Sequence, residues 1–499
     1  MAIACPLASS HAYLGFDDFR LTVPFFVQIT PPIVNIPADI QLSEKGHQAY
    51  SDALENEGCG DVVIIPRHGR KEYVVDYKHV KNVLTDSQNF SFERAVTNML
   101  HMEFMLWFKN GTFVQELDGL VQDGVTPRLK AVIEKVSPIF SREANAIKNA
   151  QKQVKNDTIV IEDVYEWVHH TIAQAMVVLI LGEKYLSPTM TEHFMAITVA
   201  ISHLAGIYEN TQGWRNFPSF WSLKTTLQAI FGTVVPRFFF GILPTLWKNR
   251  FAHLNHGIDV EHNEYAPFFD LLASKHRNKR TGTLSVWNFF WCATVSLGII
   301  FASIHQTAVV AVWCVMVLSQ KQDEYLQELR KEWEEFIEHD DEGNLHLTVH
   351  NLRDLVKTDS FIREVMRTKG DTFAPVRYTT RDVQVGRFVI PKNSLCAPYV
   401  KRAHEHFDNY GEKGAEFDGF QWYYQNKPAV QGGHDFISFG LGRWACPGRH
   451  LAIAELKMVI LMLFAHNDVQ IRKDTFHVSD PMNTTSVAPN GILEISSRS

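Results

Sequence analysis

One cysteine stands in a setting that suits metal binding. Cys446 lies within the glycine-rich segment FGLGRWACPGRH, residues 439–450, and the apolar run LAIAELKMVILMLF that follows predicts a helix with Pro447 as a tolerated first residue. Cys446 would then precede a helix N-terminus, where free backbone N–H groups and the helix dipole lower the pKa of a thiol. A thiolate held in this way can bind a metal. The alternative is a buried structural cysteine that follows a turn.

A glutamate and an arginine three positions apart form a second pattern. Glu364 and Arg367 occur in the segment FIREVMR, which precedes the cysteine segment in the chain. Taken alone, a pair at this spacing is usually a solvated pair on a helix surface, worth about 0.2–0.5 kcal/mol. The alternative is a buried ion pair that holds a scaffold together.

A group of polar residues interrupts the longest uncharged stretch of the chain, residues 281–320. Ser303, His305, Gln306 and Thr307 lie near its middle. As one helix this stretch would extend ~60 Å, about twice the hydrocarbon thickness of a bilayer. Polar residues at the midpoint of a bilayer are costly. The pattern therefore favours a buried helix that carries site residues over a membrane span.

The three patterns together resemble the cytochrome P-450 family. Its signature is a phenylalanine, a glycine three positions on, the haem-ligating cysteine four further and a glycine two beyond, which Phe439, Gly442, Cys446 and Gly448 reproduce. The family also has an ExxR pair upstream of this loop, and the order of its elements can be followed from Val62 to the C-terminus. The resemblance implies that Cys446 binds the iron of a b-type haem.

The resemblance assigns further residues by position. Glu364 and Arg367 would be the buried ion pair of the haem scaffold, and Arg377 would bind a haem propionate, since a guanidinium suits a carboxylate. The other residues expected to contact the haem are Phe439, Gly440, Gly442, Trp444, Gly448 and Ala302. By family position, the substrate pocket would be lined by Ile299, Phe373, Ala374 and Val487.

The chain departs from the family at several of these positions. The family usually has an acid and a threonine in its central helix for proton delivery, where this chain has His305 and Gln306. Thr307 is adjacent, but one residue rotates a side chain ~100° around a helix. Trp444 stands where the family usually has Arg or His, and Gln421 stands where an arginine usually joins the glutamate–arginine pair. Gln306, His305 and Thr307 remain the expected catalytic residues.

Composition agrees with one large, mainly α domain that has a small β region, the fold class that the resemblance implies. We expect residues 41–499 to form a single haem-thiolate catalytic domain and residues 1–40 to form a membrane-proximal segment or hinge. Residues 60–94 predict strand, turn, strand and short helix.

The net charge of −7 argues against a nucleic-acid partner, and six cysteines without a CxxC pair fit a reducing compartment.

The implied function is a monooxygenase that inserts one oxygen atom from dioxygen into a lipophilic small molecule. His305 is reminiscent of fungal members of specialised metabolism, which suggests a terpenoid, polyketide or indole-derived substrate. Electrons would come from NADPH through a separate flavoprotein reductase, because no flavin or nicotinamide fingerprint occurs in the chain. The reductase could dock on the basic residues around the cysteine loop, which are Lys401, Arg402, Arg443 and Arg449.

Two other functions remain open from the sequence. A haem-thiolate enzyme could carry out oxidative cyclisation, desaturation or hydroperoxide rearrangement without net oxygen insertion, and Gln306 modestly favours that reading. A non-catalytic haem-binding or membrane protein is the third possibility.

The resemblance to the family's fungal members implies that the protein lies at the cytosolic face of the endoplasmic reticulum membrane. Residues 21–37, however, are too short and proline-broken for a spanning anchor. The apolar segment 234–247, interrupted by two prolines, favours a loop that dips into a membrane surface.

Overall fold

The computed structural model describes residues 29–498 except 42, 44, 68–69, 101, 107, 155, 208–216, 249–264, 342, 374 and 480–484. Helices dominate the described part of the chain, which confirms the mainly α fold class. The α-helices are α1 Ala38–Gln41, α2 Gly46–Asp52, α3 Tyr77–Thr85, α4 Phe92–Met99, α5 Phe113–Gly124, α6 Leu129–Gln151, α7 Val164–Leu181, α8 Pro188–Leu204, α9 Pro218–Thr226, α10 Leu243–Lys248, α11 Phe268–His276, α12 Val286–Gln320, α13 Gln322–Phe336, α14 Val349–Asp354, α15 Val356–Lys369, α16 Val400–Glu405, α17 Phe407–Tyr410, α18 Gln421–Tyr424 and α19 Arg449–Phe464. Shorter 3₁₀ and π-helical stretches are Ala53–Glu57, Glu103–Leu106, Phe108–Gly111, Thr126–Arg128, Glu183–Tyr185, Leu227–Val234, Pro236–Ile242, Gly411–Lys413 and Gly442–Trp444.

Short strands form the small β region. They are β1 Val62–Arg67, β2 Arg70–Val75, β3 Phe90–Ser91, β4 Thr158–Ile161, β5 Glu338–His339, β6 Leu345–His346, β7 Arg377–Thr379, β8 Val383–Val385, β9 Phe388–Ile390, β10 Leu395–Pro398, β11 Asn467–Ile471 and β12 Leu493–Ser497. The largest sheet has the order β1-β2-β10-β7-β3, and β11-β12-β4 form a second sheet. The predicted succession of strand, strand and helix in residues 60–94 is confirmed by β1, β2 and α3, although the turn at 68–69 lies outside the described residues.

The long uncharged stretch forms α12, which begins after Ser285, whose side chain accepts a hydrogen bond from the backbone N–H of Asn288 at 3.1 Å. Most of its side chains are buried against α7, α8, α11 and α19. Because the helix is apolar on nearly all sides, packing within the protein accounts for its sequence. The helix that follows the cysteine loop, α19, is likewise buried along almost its whole length.

Three of the described helical segments are long and apolar enough to cross a membrane by length and composition. The apolar windows of Val164–Leu181 and Val286–Gln320 are mostly enclosed by the protein, whereas that of Ser219–Lys248 is only 33% buried. The expectation that segment 234–247 forms a loop is wrong, because this segment is helical. Pro236 and Pro244 both lie inside one continuous helical segment, Ser219–Lys248, and the π-helical turns on either side of Pro236 fit the loss of a regular helix hydrogen bond at that residue.

Candidate active site

The cysteine loop is shaped by tight backbone hydrogen bonds. The N–H of Cys446 donates to the carbonyl of Phe439 at 2.7 Å, and the N–H of Gly440 donates to the carbonyl of Ile437 at 2.7 Å. Gly442 has a φ of 70°, and a Cβ there would lie 3.2 Å from Thr85 Cα. A side chain at this position would therefore strain the backbone and press the loop away from α3.

Cys446 is a free cysteine that lies deep in the protein yet keeps part of its surface accessible. Burial raises the pKa of its thiol, while the N–H groups of Gly448 and Arg449 and the Arg449 guanidinium oppose that rise. The predicted fall in pKa is therefore wrong for the free thiol, because desolvation outweighs the helix N-terminus. The helix also begins later than expected, at Arg449 instead of Pro447. A metal cation bound at the sulfur would restore the thiolate, because coordination deprotonates a thiol.

The Glu364–Arg367 pair is completely buried. Arg367 Nη2 lies 2.6 Å from Glu364 Oε1, and Arg367 Nε lies 2.9 Å from Glu364 Oε2, which gives a bidentate ion pair. The remaining Arg367 N–H groups donate to the carbonyls of His404 at 2.7 Å, Glu416 at 2.7 Å and Gly414. The pair therefore links α15 to the chain segment that leads into the cysteine loop.

Neutral donors stand where the family's second arginine would be. Gln421 Nε2 donates to Glu364 Oε2 at 2.9 Å, and Trp422 Nε1 donates to the same oxygen at 2.9 Å. The backbone N–H of Asp418 donates to Glu364 Oε1 at 3.0 Å. The Glu364 carboxylate thus has one cationic partner and three neutral ones, and burial of a second cation is avoided.

Arg377 is a buried cation without a counter-charge among the described residues. It is wholly enclosed, its guanidinium donates to the carbonyls of Pro375 at 3.2 Å, Val376 at 3.1 Å and Leu84 at 3.4 Å, and its Nε has no hydrogen-bond partner. Burial lowers its pKa to about 10, so it stays charged at neutral pH. A buried charge without a partner is costly, and the carboxylate of a bound group would relieve that cost.

Trp444 lies close to this arginine. Both contact Phe92, with the Arg377 guanidinium 5.0 Å from its ring centroid and the Trp444 ring 5.3 Å away. The Arg443 guanidinium stacks at 4.7 Å over the Trp444 ring and is hydrogen-bonded to Asp118 of α5. The fold thus brings Arg377 and the tryptophan of the cysteine loop to one place.

One face of α12 keeps accessible surface in the middle of an otherwise buried helix. Gly298, Ala302 and Gln306 follow one another at intervals of four residues, and Ala302 is exposed. The i+4 spacing places them on one face. Ile299 next to this face is buried. A Cβ at Gly298 would lie 2.7 Å from the Leu117 side chain and 2.8 Å from that of Phe113, so Gly298 allows α5 to pack closely, and the room beside Gln306 lies at Ala302.

The other expected catalytic residues point elsewhere. His305 is buried, and its Nδ1 lies 2.9 Å from the hydroxyl of Tyr165 on α7. Burial, reinforced by His169 and His203, lowers its pKa to about 3, so it is neutral at physiological pH. The Thr307 hydroxyl donates to the carbonyl of Ser303 at 3.1 Å, one turn back along the helix. The structure therefore does not bring His305 beside Gln306.

Gln306 meets a residue that the sequence did not single out. Its Nε2 donates to Asp371 Oδ1 at 3.1 Å, across 65 positions of the chain. Asp371 follows α15 directly in the loop that leads to Phe373. The only signal in the sequence is an acid in a loop that the family resemblance places at the substrate pocket.

The expected pocket residues that the structure describes are all buried. Ile299 and Val487 are buried, and the carbonyl of Val487 accepts a hydrogen bond from Trp313 of α12 at 2.8 Å. Phe373 packs in a separate cluster, stacked on Tyr399 with ring centroids 5.1 Å apart. Ala374 lies outside the described residues.

The expected basic docking surface is reduced by ion pairing. Lys401 lies 2.5 Å from Glu405, and Arg402 lies 2.7 Å from Glu55 and 3.0 Å from Asp76; both basic side chains are largely buried. Lys401 and Arg402 therefore cannot present free charge to a partner. Arg449 donates to the carbonyl of Cys446 at 2.8 Å.

The neutral donors to Glu364 generate a stability prediction. Gln421→Ala should lower the free energy of unfolding by about 1.5–3 kcal/mol, because a hydrogen bond to a buried carboxylate is lost. Urea unfolding followed by circular dichroism measures the change. Gln425→Ala is the matched control, since Gln425 is exposed on the next turn. Equal effects of the two substitutions would show that Gln421 does not support the pair.

Comparisons with known proteins now identify the family. The model of the Cytochrome P450 family matches residues 40–493. Relatives include "Cytochrome P450 monooxygenase atmQ" of Aspergillus flavus, 24% identical over 50% of this chain and 51% of the relative. "Cytochrome P450 monooxygenase janQ" of Penicillium janthinellum is 27% identical over 35% of this chain and 36% of the relative. The match thus spans about half the length of the first relative and about a third of the second.

A solved structure agrees in fold. The "Retinoic acid bound cyanobacterial CYP120A1" superimposes with a TM-score of 0.65 at 16% identity, covering 94% of this chain and 100% of that one. Identity this low shows the fold alone. Because the family model covers residues 40–493, the chain belongs to the cytochrome P450 family, whose cofactor is haem b.

Proposed function

We propose that this protein is a haem-thiolate monooxygenase that inserts one oxygen atom of dioxygen into a lipophilic small molecule. The observation that carries the proposal is Cys446, a free and partly accessible cysteine in a tight loop ahead of α19. The likeness to the fungal relatives atmQ and janQ supports a fungal secondary metabolite as the substrate, of terpenoid, polyketide or indole-derived type.

Residues of this chain fit the cofactor of the family. Cys446 would supply a sulfur ligand to the iron, and Arg377 would pair with a propionate, which would provide the counter-charge that the described residues lack. Trp444 could donate its indole N–H nearby. When bound, haem b supplies the iron centre at which dioxygen is activated, and a thiolate ligand favours cleavage of the O–O bond.

The central helix would shape the other side of the site. Ala302 leaves space for substrate, and the Gln306 amide can order water through its carbonyl oxygen, which has no hydrogen-bond partner among the described residues. The buried residues around α12 limit the access of bulk water. Electrons would come from NADPH through a flavoprotein reductase, and Arg443 and Arg449 are the basic residues of the cysteine loop that it would meet.

A second function is favoured by one specific observation. The Gln306 side chain stands at the usual threonine position, and the adjacent Thr307 hydroxyl is already bonded to the carbonyl of Ser303. Without a hydroxyl directed into the site, an oxidative cyclisation, desaturation or hydroperoxide rearrangement could proceed with no oxygen insertion. We keep this as the alternative activity of the same haem site.

We also propose that the protein binds a membrane surface, at the cytosolic face of the endoplasmic reticulum, with residues 1–40 as the membrane-proximal segment and 41–499 as one catalytic domain. A cluster of exposed apolar side chains along Pro218–Lys248 and just before it supports this. We call it the apolar face, and its members are Phe217, Phe220, Leu223, Leu227, Phe231, Phe239 and Phe240. The adjoining start of α12 adds Trp287, which is 61% exposed.

The proposed chemistry is tested with isotopically heavy dioxygen. We expect the haem-loaded protein, given a reductase, NADPH and a lipophilic fungal extract, to form products that carry one heavy oxygen atom by mass spectrometry. Cys446→Ala should abolish these products and the red-shifted carbon monoxide band of the reduced protein, whereas Cys59→Ser should keep both. Products without heavy oxygen would favour the alternative, and a band that survives Cys446→Ala would remove Cys446 as the ligand.

The buried guanidinium of Arg377 lacks a counter-charge among the described residues. Its removal should therefore have opposite effects on the stability of the haem-free protein and on the affinity for haem. Arg377→Met should leave the free energy of unfolding of the haem-free protein unchanged or higher, because an uncompensated buried charge is removed. The same variant should bind haem about 10- to 100-fold more weakly, because a charge-assisted hydrogen bond worth about 1.5–3 kcal/mol is lost. Urea unfolding and haem titration measure the two effects. Arg381→Met, at an exposed position, should change neither; lower stability with unaltered haem affinity would contradict the assignment.

The apolar face predicts vesicle binding. Replacing Phe220, Phe231 and Phe240 by serine should weaken partitioning onto phosphatidylcholine vesicles at least about tenfold, since burying one phenylalanine is worth about 1.5–3 kcal/mol. Flotation in a density gradient measures the bound fraction. Phe407→Ser with Tyr424→Ser, at exposed aromatic positions elsewhere, is the control. Equal loss in both variants would argue against this face as the contact.

A further inference from the structure

The Gln306 side chain is held by a carboxyl group from another element. Gln306 Nε2 donates to Asp371 Oδ1 at 3.1 Å, and the backbone N–H of Ser486 donates to the same oxygen at 2.7 Å. Ser486 is fixed in turn, because its hydroxyl donates to the carbonyl of Lys369 at 2.8 Å and accepts from Trp313 Nε1 at 3.1 Å. Three chain segments thus fix the position of one carboxyl group.

The second oxygen of this carboxyl group remains available. Asp371 Oδ2 has no hydrogen-bond partner among the described residues, and Asp371 keeps part of its surface accessible. Gln306, to which it is bonded, belongs to the accessible face of α12 together with Ala302. The free oxygen therefore belongs to a residue at the edge of the proposed site.

Asp371 can change its protonation near neutral pH. Burial raises its pKa to about 6, against the lowering effect of the N–H of Ser486 and the amide of Gln306. No charged side chain among the described residues contributes to this shift; the ammonium of the nearby Lys369 lies 5.6 Å from the Trp313 ring centroid. His305, in contrast, faces Tyr165 and has a pKa of about 3.

We propose that Asp371, held by Gln306, stores and delivers protons for dioxygen reduction in this site, in place of the family's acid and threonine, whose positions in the central helix are taken by His305 and Gln306. This inference rests on the proposed monooxygenase function. Oxygen insertion consumes two protons and two electrons, the electrons being supplied by NADPH, and releases one water. Asp371 Oδ2 would give its proton to a water in the site, which passes one on towards the oxygen that is being reduced, and solvent would then reprotonate Oδ2.

The carboxylate that remains after proton loss is stabilised by the geometry. Both the Ser486 N–H and the Gln306 amide donate to Oδ1, and hydrogen bonds to the charged form favour it. The proton leaves from Oδ2, which has no such donors, so Gln306 acts as a positioning residue. A glutamine suits this task because its amide donates to the carboxyl group while its carbonyl oxygen can accept from water.

The decisive variant is Asp371→Asn, which keeps the size and the acceptor oxygen of the side chain but cannot titrate. In the haem-loaded protein we expect the product formed per NADPH consumed to fall about 10- to 100-fold, with hydrogen peroxide released instead, as for loss of a general acid. The double variant Asp371→Asn with Gln306→Glu returns a carboxyl group to the pair and should recover part of the coupling. Asp340→Asn, at an exposed turn, is the matched control and should leave coupling unchanged.

A second measurement needs no turnover. Infrared difference spectra of the haem-free and haem-loaded proteins between pH 4 and 8 should show a protonated carboxyl band that is absent in Asp371→Asn, with a midpoint near 6 in the haem-free protein. Gln306→Leu should move this midpoint upward, because the amide hydrogen bond lowers the pKa of Asp371. If Asp371 delivers protons, coupling in the wild-type protein should change with pH between 5 and 7, and this pH dependence should be absent in Asp371→Asn. If Asp371 has only a structural role, the two proteins should show the same pH dependence.

The outcomes separate this inference from the proposed function. Wild-type products with heavy oxygen and unaltered coupling in Asp371→Asn would overturn the inference alone, as would a carboxyl band that does not respond to Gln306→Leu. Wild-type products without heavy oxygen would overturn the monooxygenase proposal, and the inference with it. Loss of coupling together with a shifted carboxyl band would support both.

Discussion

The site depends on one buried guanidinium whose donors are all used. Arg367 donates five hydrogen bonds, two to Glu364 and one each to the carbonyls of His404, Gly414 and Glu416. A guanidinium has five N–H donors, so none is left unsatisfied. Removing either partner of such a pair would leave a buried charge, which is far more costly than the pair itself. The pair therefore fixes α15 against α16 and the stretch of chain that follows it.

That stretch leads to the cysteine through further hydrogen bonds. His404, whose carbonyl binds Arg367, accepts the N–H of Ile437 on its Nε2 at 2.9 Å, and the carbonyl of Ile437 accepts the N–H of Gly440 at 2.7 Å. Burial keeps His404 neutral by lowering its pKa to about 3, so that this nitrogen can accept. A continuous series of hydrogen bonds thus connects the ion pair to the loop that holds Cys446. The scaffold therefore fixes the position of the Cys446 sulfur, and it does not lower the pKa of the free thiol.

Local patterns in the sequence predicted the parts of the site that local chemistry determines. The loop around Cys446 and the ExxR spacing can be recognised locally, because glycine turns and i,i+3 pairs are properties of neighbouring residues, and the fold was predicted from the resemblance that these patterns carry. The sequence showed Gln421 at the position of the family's arginine, but it could not show that the Gln421 amide and the Trp422 indole both donate to Glu364, because these contacts cross 57 and 58 positions. The direction of His305 is also non-local, since it depends on Tyr165, which is 140 positions away. The pKa of the Cys446 thiol is raised, where the sequence predicted a lowered pKa. Desolvation depends on the whole fold, whereas a helix N-terminus can be recognised from sequence.

The same helix that positions the cysteine loop also positions the acid beside Gln306. Asp371 follows Arg367 by four residues, just after the end of α15 at Lys369. Two hydrogen bonds hold this part of the chain. The Lys401 ammonium donates to the carbonyl of Thr368 at 2.6 Å, and the N–H of Val400 donates to the carbonyl of Thr372 at 3.1 Å. An acid carried by this segment therefore keeps a fixed place relative to the cysteine without a charged residue within α12. The central helix can then remain free of Asp, Glu, Lys and Arg, and most of its side chains pack in the core, while the titratable group that we propose for the site is supplied by the loop after α15.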